Sequence, residues 1–116
     1  MDQIRQLKEN LIAELELSHD EVEIFMSLIK AEKTSSNNFI IQPKYTKEKT
    51  IEICKELEQK GMIIEISNNE FQGLHPRFAI VNRYKRMCKE KGAEFKKNTK
   101  IDNIGLMLEK YQNKND

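Results

Sequence analysis

Residues 46–76 read TKEKTIEICKELEQKGMIIEISNNEFQGLHP, and the change of period inside this stretch decides the fold. Up to Gln59 the apolar residues recur at helical spacing, with Ile51, Cys54 and Leu57 on one stripe and Ile53 beside it. Thr46 suits the N-cap, where a hydroxyl accepts from a free first-turn amide. Gly61 suits the left-handed position that ends a helix. Beyond it, Met62 to Ser67 is short and β-branched, Asn68 and Asn69 tolerate the positive φ of a tight turn, and Glu70 to His75 forms the returning strand. The stretch therefore predicts a helix followed by a β-hairpin.

Upstream, Ser18 and Glu21 form a capping-box pattern ahead of Val22, Phe25, Met26, Leu28 and Ile29, a wide apolar face running to about Glu32. Residues 35–41 predict a short helix stopped by Pro43, with an extended piece as the alternative because Ile40 and Ile41 are β-branched. Before these, Asp2 to Glu16 is amphipathic, with Ile4, Leu7, Leu11 and Leu15 on a narrow stripe. Downstream, Pro76 opens a helix in which Phe78, Val81, Tyr84 and Cys88 make the expected apolar stripe, with Ile80 and Met87 beside it. Arg77, Arg83, Lys85, Arg86, Lys89 and Lys91 cover the remainder, and Gly92 ends it. A last helix is predicted from Thr99, capped with Asp102, carrying Ile101, Ile104, Leu108 and Tyr111.

This order predicts a mainly α chain with a small β-hairpin (α+β), a winged helix-turn-helix with flanking N- and C-terminal helices. The expected parts are an amphipathic helix over 1–16, the winged helix over 17–76, C-terminal helices over 77–112 and a frayed tail over 113–116. In such a fold the helix after the turn offers its first turn to the major groove while the hairpin tip reaches phosphates. The candidate DNA-binding residues are Ser36, Lys44, Tyr45, Thr46, Lys47, Lys49, Thr50, Asn68, Asn69 and Arg77. Glu48, Glu52, Glu56 and Glu58 interleave with the lysines and oppose a polyanion, so a solvated helix face is the competing reading of the same residues.

Composition bounds the function further. The chain has 116 residues, 38% hydrophobic and 34% charged, with a net charge of +1. Residues 1–32 carry three basic and eight acidic side chains, and residues 77–100 carry nine basic and two acidic. An anion-seeking surface is thus expected in the second half. The apolar stripes on the two terminal helices exceed what a small winged-helix core would cover. A homodimer through Ile4, Leu7, Leu11, Ile101, Ile104, Leu108 and Tyr111 is the expectation, against a fold-back onto the same domain.

No apolar run is long enough for a membrane span and the first ten residues are too polar for a signal peptide, so a cytoplasmic, nucleoid-associated protein is expected. Cys54 and Cys88 match neither a disulfide framework nor a zinc spacing, and His19 and His75 have no partners at catalytic or ligand spacing. No cofactor, metal or enzymatic activity is expected. The reading is a sequence-specific transcriptional regulator binding double-stranded DNA as a dimer. The alternatives are a winged-helix protein–protein module and a chromatin-type binder without sequence preference.

Three stretches resemble the TrmB-like family of archaeal winged-helix regulators. Leu17 to Leu28 is similar to its opening helix. Ile51 to Ile63, with Leu57-Glu58-Gln59-Lys60-Gly61-Met62, is similar to its recognition helix running into the wing, and Phe71 to Pro76 to its return strand. The likeness spans roughly residues 15–80. It implies a DNA-binding winged helix and transcription regulation. Ser35 to Gln42 lacks the family's alanine-rich run, and Pro43-Lys44 stands where a glycine is usual. About 40 residues follow Pro76, too few for the family's sugar-sensing domain, so no small-molecule effector domain is expected.

Overall fold

The computed structural model describes residues 3–31, 45–68 and 70–113. Among them the chain forms helices α1 (Gln3–Leu15), α2 (His19–Ala31), α3 (Lys47–Gln59), α4 (Pro76–Glu90) and α5 (Thr99–Asn113). Strands β1 (Ile63–Ser67) and β2 (Glu70–Gly73) lie between α3 and α4. The molecule is mainly helical with a small antiparallel hairpin. The short helix expected over 35–41, with Ser36, lies outside the described residues, as do Lys44 and Asn69.

Local chemistry sets the element ends. Ser18 Oγ accepts from the Glu21 amide at 3.0 Å while Glu21 Oε1 accepts from the Ser18 amide at 2.9 Å, a reciprocal cap that starts α2. Thr46 Oγ1 accepts from the Lys49 amide at 3.0 Å and starts α3. At the other end of α3, Gly61 adopts φ +85°. The Met62 amide then donates to Leu57 O and the Gly61 amide to Glu58 O, satisfying carbonyls that have no intrahelical donor. Met62 and Leu57 are both fully buried, which closes that motif with an apolar contact. β1 and β2 pair with Ile63 opposite Gly73, Ile64 opposite Gln72 and Glu65 opposite Phe71. A register shift follows between Glu65 and Ser67. α5 starts at Thr99 as expected, but the side chain that caps it is that of Asn98, whose Oδ1 accepts from the Lys100 and Ile101 amides.

α2 is the central helix, contacting α1, α3, β2 and α5. Its Val22, Ile24, Phe25, Met26, Leu28 and Ile29 are buried, so its apolar face is wide enough to serve several neighbours. α4 and α5 run antiparallel: His75, the N-cap of α4, meets Glu109 at one end of the pair, and Tyr84 meets Asn98 near the other. No helix among the described residues is long and apolar enough to cross a membrane.

The buried face of α4 corrects the sequence expectation at two places. In α4 the buried residues are Pro76, Ala79, Ile80, Arg83, Met87 and Cys88, whereas Phe78 is 68% exposed. Gly105 of α5 comes close to the backbone of Arg77, and the face with small Ala79 turns inward. Arg83, expected on the solvent side, holds a buried position because its Nε donates to Leu15 O at 3.0 Å, meeting an otherwise unpaired carbonyl at the end of α1.

The stripes assigned to a dimer are buried within one chain. Leu7, Leu11 and Leu15 of α1 and Ile101, Ile104 and Leu108 of α5 are each 3% exposed or less. α1 packs on α5 and both pack on α2, so the flanking helices cover one another and no second copy is needed to hide these residues. Ile4 remains exposed and Tyr111 half-buried at the edge of this layer.

Candidate nucleic-acid interface

The first turn of α3 is the exposed helix start that the sequence singled out. Its first amides have no intrahelical acceptor, and the Thr46 hydroxyl satisfies only that of Lys49. Lys47, Glu48 and Lys49 are all exposed around it. Among the described residues Lys47 makes no ion pair. Lys49 Nζ lies 3.2 Å from Glu52 Oε1, and this bond holds its ammonium above the usual lysine range. The turn thus offers free N–H groups, the positive end of the helix dipole and one uncommitted ammonium, with Glu48 and Glu52 offsetting the two lysines.

Two residues predicted to touch DNA make hydrogen bonds within the chain. Thr50 is fully buried and its Oγ1 donates to Thr46 O at 2.9 Å. Tyr45 is half-buried and donates its hydroxyl to Asp20 Oδ1 in the first turn of α2. Burial and that carboxylate push the phenol up to about 12. Tyr45 therefore braces the start of α3 against α2. Asn68 is exposed at the end of β1. Arg77 is also exposed, but it sits beside His75 and Gly105, on the α4–α5 side of the molecule. Lys47, Lys49 and the Thr46 cap are thus brought together, while Arg77 stands apart.

The opposite end of α3 is fixed by contacts that no local pattern announced. Lys60 Nζ meets both Glu21 carboxylate oxygens, at 2.6 and 2.7 Å. Asn82 Nδ2 donates to Gly61 O at 3.1 Å, and Arg86 donates to Gln59 O. Lys55 Nζ lies 3.3 Å from Glu65 Oε1 and above the Phe71 ring, joining the hairpin to α3. With its C-terminal end anchored on α2 and α4, α3 presents its first turn from a fixed base. A local signal existed only for Glu21, whose capping role was legible while its bond to Lys60, 39 residues away, was not.

Among the described residues no group of three His, Cys, Asp or Glu side chains is placed to hold a metal ion. Cys54 and Cys88 are buried and free, and burial pushes the Cys54 thiol up to about 12, away from thiolate chemistry. No family model, curated protein or solved structure matches the chain.

Proposed function

We propose that this chain is a winged-helix DNA-binding protein that acts as a transcription regulator. α2 serves as the opening helix, α3 as the recognition helix and the β1–β2 hairpin as the wing. The observation that carries the reading is the first turn of α3, where Lys47, Glu48 and Lys49 are exposed at an N-terminus capped by Thr46 while the other end is anchored by Lys60 and Arg86. A helix held in this way supports base-edge and phosphate contacts from its first residues without a cost for ordering them. Lys47 and Lys49 would meet phosphates or guanine, and Glu48 would accept from cytosine.

The test is fluorescence anisotropy on duplex DNA at several salt concentrations, with a Lys47→Ala/Lys49→Ala variant. Parent affinity should fall steeply with salt, and the variant's slope should be lower by about one per phosphate-contacting lysine. Absence of binding at low salt sinks the DNA reading. A second reading has its own support. Ile64 and Ile66 are 42% and 51% exposed on the hairpin, and Glu52 already pairs with Lys49, which favours a protein partner held by the hairpin. In that case the hairpin isoleucines, and not the lysines, would control binding.

A further inference from the structure

Of the nine basic residues between 77 and 100, Arg77 stands apart beside His75 and Gly105, and the structure sorts the other eight into two groups. Arg83 is buried on Leu15 O, Arg86 is bonded to Gln59 O, and Lys91 pairs with the Glu16 carboxylate. These three are engaged in contacts within the chain. Lys85, Lys89, Lys96, Lys97 and Lys100 are all exposed, and among the described residues none of them makes an ion pair. Glu90 lines the polar recess beside Lys60 and Arg83, which leaves Glu94 as the acid of the turn itself.

That turn is clamped at both ends. Gly92 adopts φ +69° and the Ala93 amide donates to Cys88 O at 2.8 Å, closing the end of α4. Asn98 caps α5 and also donates to the Tyr84 hydroxyl at 3.4 Å. Between these clamps the Phe95 ring stands 5.7 Å from Tyr84, and Lys85 Nζ lies 5.2 Å from its centroid. The aromatic pair holds Lys85 beside the turn that carries Lys96 and Lys97, so the backbone from which these lysines project is fixed before anything binds.

We infer that the C-terminal half of α4 and the turn into α5 form a second surface, which binds the phosphate backbone of duplex DNA without reading its sequence. The inference takes the kind of polyanion from the DNA reading but rests on different residues. Lysine ammoniums are compact point charges that pair with phosphates wherever they fall, and the exposed arginine on this half of α4, Arg86, is turned to Gln59 O rather than presented as a fork for a base edge. Lysine is also depleted from protein–protein interfaces, which argues against a folded acidic partner. The surface adjoins the C-terminal end of α3, to which α4 bonds through Asn82 and Arg86. The first turn of α3 lies a helix length away, about 20 Å for 13 residues. One protomer would therefore grip DNA at two separate places.

The test compares the parent, a Lys96→Gln/Lys97→Gln variant and the Lys47→Ala/Lys49→Ala variant by anisotropy across a salt series. Two duplexes of unrelated sequence are used, and thermal melting is recorded alongside. The Lys96/Lys97 variant should melt like the parent, because both residues are exposed. Its slope of log affinity against log salt should fall by about two, equally on both sequences. A parent-like slope in this variant, with weakened binding in the Lys47/Lys49 variant, overturns the second surface and leaves the proposed function standing. The reverse pattern supports the second surface and removes α3 from the DNA reading. Lack of binding by the parent overturns both, and displacement of DNA by polyglutamate at equal charge concentration overturns the inference in favour of an acidic protein.

Discussion

Lys60 Nζ lies 2.6 and 2.7 Å from the two carboxylate oxygens of Glu21, so the C-cap of α3 is bonded to the first turn of α2. Burial alone would raise the Glu21 carboxyl, but the Lys60 ammonium and the Ser18 amide outweigh it and hold it below the usual range. Glu56 is shifted the other way, by burial and by the neighbouring Glu21. Replacing Lys60 by Met leaves a carboxylate that is 3% exposed without its cation. Removal of one partner from a buried pair costs several kcal/mol, and the partial exposure of Lys60 brings the expected loss to about 2–3 kcal/mol in urea denaturation. An unchanged midpoint would show that the pair contributes nothing.

The same pair gives a pH dependence with a definite sign. Glu21 has a lower pKa folded than unfolded, so its contribution is complete above the unfolded value, roughly 4.3, and is lost as pH falls through the lower folded value. Urea midpoints of the parent should decline on that acid limb, and those of Glu21→Gln should decline less. Equal acid limbs would assign the decline to other carboxylates.

Thr50 and Lys47 are three residues apart on α3 and should respond in opposite ways. Thr50→Val removes a buried hydroxyl that donates to Thr46 O and should cost about 1 kcal/mol of stability while leaving DNA affinity unchanged. Lys47→Ala should leave the denaturation midpoint in place and lower DNA affinity. A DNA defect in a folded Thr50→Val protein would contradict the assignment of that hydroxyl to the helix start.

Gly61 and Gly92 both adopt positive φ, but only Gly61 is crowded. A Cβ there would stand 2.8 Å from Arg86 Nε and 3.2 Å from Asn82 Cβ, whereas nothing lies within 4 Å at Gly92. Gly92→Ala should cost only the left-handed strain, about 1 kcal/mol. Gly61→Ala should cost more, about 2 kcal/mol, since Arg86 and Asn82 must also give up their bonds to Gln59 O and Gly61 O. Equal losses in thermal melting would mean that the contacts around Gly61 yield freely.

Leu11 is fully buried between α1 and its neighbours in one chain. Leu11→Ala should therefore cost about 2–4 kcal/mol of stability and leave the sedimentation behaviour unchanged with concentration. Dissociation of an oligomer by this substitution would restore the seam between two copies.

Much of the fold was legible because local chemistry and burial agreed. The Ser18–Glu21 cap, the Thr46 cap, the Gly61 stop and the switch from period 3.6 to strand all follow from near neighbours in sequence. Long-range partners were not. Thr50 read as a DNA contact because a threonine in a first turn looks exposed, yet α3 is rotated so that Thr50 lies inward with Ile53, Cys54 and Leu57. Phe78 read as core from its helical spacing to Val81, Tyr84 and Cys88, while Ala79 proved the inward residue and α5 approaches closely through Gly105. The burial of Leu7 and Leu108 depended on helices at opposite ends of the chain finding each other, which no local pattern encodes.

The central claim is that the first turn of α3 meets DNA, and amide chemical-shift mapping tests it residue by residue. On titration of the labelled protein with a short duplex at low salt, the largest shifts should fall on the amides of Thr46 to Thr50 and on Asn68 beside the hairpin tip. Unmoved amides at the start of α3, with the duplex bound or not, would contradict the claim, and shifts on Ile64 and Ile66 with a protein ligand instead would favour a protein partner on the hairpin.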